Sequence, residues 1–258
     1  MHNLFSLPRF MRLFRKHTAE HWKSYLMGAG VLAGALLLVL SFLTYVNGGA
    51  PNVRAQAAFF AMFLLGAGFL FTSSIFADLS TKPRAIAMLS LPASHLEKYM
   101  VVWLYSFFFF LIAYTGIFYA VDELVLAFAD RDGQHPKLLN LFSQDEKAYL
   151  AFLLFAVVHG LALWGAVFFE KLAFIKTATV FFLGLALISF LNYQLLNTWL
   201  GDSLRMSVPL MGANLLENNV YYHLELPSIQ QNWVGLALFT FSVLFWLAAY
   251  ARLREKQL

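Results

Sequence analysis

An all-α membrane protein of six spanning helices is the fold class this sequence predicts, and three observations predict it. The first is composition. Of 258 residues, 60% are hydrophobic and only 12% are charged, about half the charged share of a soluble domain, and the mean hydropathy is +0.67. The second is length: six apolar runs, at 25–46, 57–77, 99–121, 148–169, 174–196 and 233–251, each approach the roughly 20 residues needed to cross a hydrocarbon core. The third is what the runs lack. None carries Asp, Glu, Lys or Arg in its interior, Lys176 standing only at the start of the fifth. There is no internal repeat and no low-complexity tract.

Six spans put both termini on one side, and the distribution of cations selects the side. The N-terminal segment, the 78–98 loop, the 170–173 turn with Lys176 and the tail from Arg252 together hold 13 Lys+Arg against 5 Asp+Glu, whereas the opposite connections hold 5 against 9. Lys and Arg accumulate on the cytoplasmic side, so both termini are expected in the cytoplasm. The first 24 residues lack the apolar core and small-residue cleavage site of a signal peptide, so the first run is expected to be retained.

Residues 1–24 form the first expected unit. At 100° per residue Arg9, Arg12, Arg15, Lys16 and Lys23 fall on one arc, and Phe10, Met11, Leu13 and Phe14 on the other. This is the pattern of a basic amphipathic helix lying in the cytoplasmic interface, with Phe10 and Phe14 in the acyl boundary and Arg9, Arg12, Arg15 and Lys16 near anionic lipid. A positively charged flank that is merely helical would show the same pattern. The second unit, 25–251, is the six-span domain, and 252–258 is a basic cytoplasmic tail.

The outer loops, 122–147 and 197–232, are acidic and broken by turn signals such as Asp132-Gly133 and His135-Pro136. Within the second, 207–217 ("SVPLMGANLLE") reads either as a short interfacial or re-entrant helix or as a plain surface loop.

Much chemistry is missing. With no cysteine, disulfides and thiolate metal sites are excluded. No phosphate loop of the G-x-x-x-x-G-K-[ST] form occurs, so ATP cannot be held in that way. No H-E-x-x-H occurs either, and no metal ligand set is expected. His159 is the one imidazole within a run; an intramembrane ionisable group marks function by default, although a neutral histidine bonded to a neighbouring helix is the commoner state. No run contains a buried acid for relaying ions. Gly28, Gly30 and Gly34 form a small-residue face suited to close helix packing, within the chain or between two copies.

The loop between the second and third runs, "DLSTKPRAIAMLSLPASHLEKYM" (78–100), is built like a docking element. Ser80 or Thr81 can cap a helix with Pro83 in its first turn, and "PRAIAMLSL" then gives about two turns with Ile86 and Leu89 on one face. Pro92 closes it. Ser94 followed by Glu97 is a capping box that starts the third run. Two turns are not stable alone in water, so the stripe needs cover: lipid headgroups, the chain's own helix ends, or a cytoplasmic partner.

The stretch "FADLSTKPRAIAMLSLPASHLEKYMVVWLYSFFFF" (76–110) resembles the segment between the second and third spans of ABC exporter permeases of the type-2 class. The six-span layout, the amphipathic N-terminal helix and the long fifth-to-sixth outer loop are similar as well. One departure is that relatives often carry Glu just before this segment, where the chain has Asp78, Lys82 and Arg84. The resemblance implies a coupling helix in which Lys82, Pro83, Arg84, Ile86, Leu89, Pro92, Ser94, Glu97 and Lys98 dock on a separate nucleotide-binding ATPase subunit. It implies a dimer of two permease subunits, homo- or heteromeric, in a bacterial cytoplasmic (inner) membrane. ATP and Mg would sit on the partner ATPase, with no catalytic residue or cofactor in this chain and no nucleic acid as partner. Tyr105, Asn192 and Gln194, with aromatics of the second, third and fifth runs, would line a route for an apolar or amphipathic substrate such as a lipid, peptide or drug. The competing functions are a non-transporting membrane scaffold that recruits a cytoplasmic protein through 83–91, and an intramembrane enzyme built on His159.

Overall fold

The structure is a computed structural model, and it describes residues 5–76, 93–129, 137–143, 148–169, 172–209, 212–217, 220–225 and 228–255. Among them are six helices long and apolar enough to cross a membrane: α1 (Leu7–Asn47), α2 (Val53–Ser74), α3 (His95–Ala129), α4 (Leu150–Phe168), α5 (Ala173–Leu200) and α6 (Ser228–Glu255). Each expected run lies on one of them.

α1 is one uninterrupted helix of 41 residues, about 60 Å long at 1.5 Å per residue and twice a hydrocarbon core. No break separates residues 24 and 25; the basic segment continues directly into the apolar one. Pro8 stands in the first turn, where its missing N–H matters little. Gly48 ends the helix in the left-handed conformation (φ 68°), its N–H turned back to Tyr45 O, a backbone state that glycine adopts without penalty. Asn52 caps α2, its side chain accepting from Ala55 N at 2.8 Å.

α4 is apolar all round and lies at the centre, packed against α2, α5 and α6. Its glycines set the approach of its neighbours. A Cβ on Gly165 would collide with Thr177 of α5, and one on Gly160 would come within 3.0 Å of Ser242 O and Phe245 Cβ of α6. Gly68 of α2 is similarly closed off by the ring of Phe155. By contrast Gly28, Gly30 and Gly34 have nothing within 4 Å, so the small-residue face of α1 is not used among the described residues. One buried cluster joins Leu36, Leu40, Phe60, Leu64, Tyr114, Phe118 and Phe155, and a second joins Phe76, Tyr99, Val102, Leu163, Val167 and Leu253. The outer rows of α5, including Phe182, Ile188 and Leu191, are exposed, as expected where lipid is the solvent.

Two expectations are corrected. Residues 207–217 are neither helix nor plain loop. They hold the end of β1 (Leu204–Val208) and the whole of β2 (Gly212–Glu217), which pairs antiparallel with β3 (Val220–Glu225) in a three-stranded sheet. After Gly212 the chain runs opposite the β-branched and aromatic segment Val220-Tyr221-Tyr222, which favours a paired strand. Leu204 and Ala213 are buried, and Asn192 of α5 donates to Ser207 Oγ at 3.1 Å. The second correction concerns the third run. α3 does not give way to a loop at 122 but continues to Ala129. Asp122 therefore lies on the buried side of a helix, 0% exposed, and the expectation that the helices hold no buried acid fails.

Candidate functional site

The head of α3 follows directly on the 78–92 loop, and it is built as a joint. Ser94 and Glu97 form the expected capping box: Glu97 N donates to Ser94 Oγ at 3.1 Å, and Ser94 N donates to Glu97 Oε2 at 2.9 Å. The other carboxylate oxygen reaches across to α1. Glu97 Oε1 accepts from Ser6 N at 2.6 Å and from Arg9 Nη2 and Nε at 3.1 and 3.3 Å. Ser6 is the N-cap of α1 and makes no side-chain cap of its own, so Glu97 serves as the acceptor for both helix starts. A carboxylate at two helix N-termini also meets the positive ends of both macrodipoles. Glu97 is 0% exposed and the Arg9 side chain 39%, so the anion is enclosed while the cation keeps a path to water.

The contact continues along α1. Phe14 stacks on Tyr105 at 5.1 Å between centroids and meets Phe109 at 5.8 Å. Thr18 shares a hydrogen bond with the Tyr105 hydroxyl, and His17 Nε2 meets Tyr25 Oη at 2.6 Å, with the His17 and His21 rings stacked. Phe10 lies against Phe5 and Phe14. The apolar arc of the segment thus has a protein partner in α3, in addition to any lipid. Arg12 and Arg15 are exposed, and Lys16 pairs with Glu20 at 3.8 Å, one helical turn on. The α3 head is also held to α6: Tyr99 Oη donates to Trp246 O at 2.8 Å and its ring meets Tyr250. Lys98 is buried beside Glu97.

Of the expected docking residues, Lys82, Pro83, Arg84, Ile86, Leu89 and Pro92 lie outside the described residues. Ser94, Glu97 and Lys98 are brought together at the joint. The three route residues have separate surroundings. Tyr105 is packed against α1, Asn192 is bonded to β1, and Gln194 is exposed.

His159 is fully buried in a directed chain of hydrogen bonds. Trp246 Nε1 donates to His159 Nδ1 at 2.9 Å, and His159 Nε2 lies 2.9 Å from Ser106 Oγ. An indole N–H only donates, so Nδ1 is the acceptor and a neutral ring carries its proton on Nε2, toward Ser106. The Ser106 hydroxyl in turn donates to Val102 O at 2.8 Å. In this tautomer the imidazole is not placed to take a proton from Ser106; the chain pins α3, α4 and α6 together. Ser106 sits in a π-helical turn, Leu104–Phe109, a widening of the helix that turns its side chain toward α4. Replacing His159 with leucine strands the Trp246 N–H, which costs about 1–3 kcal/mol and lowers the thermal midpoint by several degrees. His159→Gln can both accept and donate and recovers most of that loss, and any partner-driven activity stays within a few fold. A complete loss of activity in an assembled His159→Gln protein would instead give the imidazole a chemical role.

Sequence reasoning missed Trp246 and Ser106 as partners of His159, and Glu97 as a cap on α1. The His17, His21 and Tyr25 stripe, at i, i+4 and i+8 of one helix, was open to inspection. Among the described residues no group of three or more His, Cys, Asp or Glu could hold a metal ion.

Fold and joints together define an integral, multi-pass membrane protein. No protein-family model matches the chain, and no curated protein and no solved structure matches it.

Proposed function

We propose that this chain is the membrane-spanning permease subunit of an ATP-driven exporter of the type-2 ABC class, working as a dimer with a separate ATPase in a bacterial cytoplasmic membrane. One observation carries the reading. The residue that closes the 78–98 loop, Glu97, is enclosed and bonded at once to its own helix start and to that of α1. A partner pressing on 83–91 from the cytoplasm would act on a rigid joint and move the heads of α1 and α3 together. A loose loop would absorb such a push. The substrate is apolar or amphipathic, in keeping with aromatic, uncharged helix faces.

The test is affinity purification of the chain from its native membrane, with any phosphate-loop ATPase that accompanies it then co-expressed with it. The pair co-purifies, and the ATPase rate changes when the complex is placed in lipid with substrate. A partner that binds but whose ATPase rate never responds would point to a scaffold. The orientation has its own test in this cysteine-free chain. Ser90→Cys labels from the cytoplasmic side and Asn140→Cys from the opposite side, as the 13 to 5 and 5 to 9 charge splits require. Labelling of both from one side contradicts the six-span arrangement.

A further inference from the structure

Asp122 is a buried acid that takes no part in the α1–α3 joint or in the His159 chain. It is 0% exposed, and neither carboxylate oxygen has a hydrogen-bond partner among the described residues. It shares the inward face of α3 with Phe118, Val121, Val125 and Leu126, all buried. Over this end of the helix lies a short strap, residues 137–143. Its Leu139 and Leu141 are buried in the same cluster as Val121 and Val125. Two side-chain bonds seat it: Gln56 Nε2 of α2 donates to Lys137 O at 3.0 Å, and Tyr119 Oη of α3 donates to Leu139 O at 2.9 Å. Among the described residues the ionisable groups on the surrounding elements are Tyr119 and exposed Glu123 on α3, exposed Arg54 on α2, exposed Lys137 on the strap, Tyr149 ahead of α4 and exposed Tyr45 on α1; none of these bonds to Asp122.

A buried ionised carboxylate with no donor and no cation among the described residues is disfavoured, whereas the neutral acid is tolerated. We propose that Asp122 is a proton-binding group whose occupancy controls the seating of the 137–143 strap. With the proton bound, Leu139 and Leu141 close over the helix. Release of the proton leaves a charge that must reach water, and displacing the strap that packs on the neighbouring Val121 and Val125 opens a route to it. Rising pH on that side therefore unseats it. The inference is independent of any ATPase, and the isolated subunit tests it.

Thiol labelling reads the strap directly. Leu141→Cys reports a buried position and Asn140→Cys its exposed neighbour, so the ratio of their rates cancels the thiol's own pH dependence. The ratio is expected to rise about tenfold or more between pH 5.5 and 8.5, and to stay flat when Asp122→Asn is added. A flat ratio with Asp122 present, or the same rise with Asp122→Asn, overturns the proposal. Thermal unfolding without any cysteine supplies the second arm. The folded state holds the proton and the unfolded state releases it, so stability falls as pH rises, and Asp122→Asn removes that slope. Equal slopes in the two proteins also overturn it.

Discussion

Replacing Glu97 with alanine is expected to be the most damaging single change at the α1–α3 joint, lowering the stability of the isolated subunit by about 3 kcal/mol. The loss has identifiable parts. Ser94 N and Ser6 N lose their acceptor together, and each belongs to a helix start with no other side-chain acceptor for it. Arg9 also loses its counter-ion, but its partial exposure lets water take over, so Arg9→Ala costs only about 1 kcal/mol. Glu97→Gln falls between, because its amide offers one acceptor oxygen to four donors. Glu97→Asp is expected to behave like alanine toward α1, being one methylene too short to bridge. Thermal or denaturant unfolding of Glu97, Arg9 and double variants yields the coupling energy. A coupling near zero, or Glu97→Ala within 0.5 kcal/mol of wild type, would mean that the joint does not hold α1 to α3.

If the chain couples to an ATPase as proposed, Leu89→Asp is expected to abolish that binding while leaving the chain in the membrane. The residue lies in the expected two-turn helix of the 78–98 loop, outside the described residues and outside all six helices. If 83–91 seats in a partner groove, the substitution buries an unpaired charge at a desolvated contact. That typically costs several kcal/mol, enough to weaken a micromolar complex a hundredfold or more at about 1.4 kcal/mol per decade. Leu89→Met, nearly equal in volume, is tolerated. Co-purification is the measurement, with membrane yield and thermal stability of the subunit alone beside it. Retained binding and an unchanged ATPase rate would remove 89 from the docking surface. Failure to accumulate in the membrane would show that the stripe packs on the chain's own helices.

The spans were legible because each is a long apolar run with polar breaks, a signal that depends on no distant residue. The Ser94–Glu97 cap was legible for the same reason, since both partners lie within one turn. The second half of that cap was not. Ser6 and Arg9 stand 91 and 88 residues away from Glu97, and no local pattern marks them. The arc of Phe10 and Phe14 was visible, but an apolar face looks the same whether lipid or Tyr105 covers it. Asp122 was misplaced because acidic residues at 122 and 123 resemble the start of an aqueous loop, whereas Val125 and Leu126 continue the buried face of α3 for another turn. The strands were missed because short alternating segments between long helices carry a weak signal. The Asn218-Asn219 pair between Glu217 and Val220 was a usable hairpin cue.

The proposed function stands or falls on whether the 83–91 segment meets an ATPase. A photo-crosslinking residue at position 89, in native membranes and with ATP present or removed, tests it most directly. One major adduct is expected, whose second chain carries a G-x-x-x-x-G-K-[ST] phosphate loop and whose yield changes with nucleotide. Adducts only to lipid, to this chain itself or to a protein without a phosphate loop would contradict it.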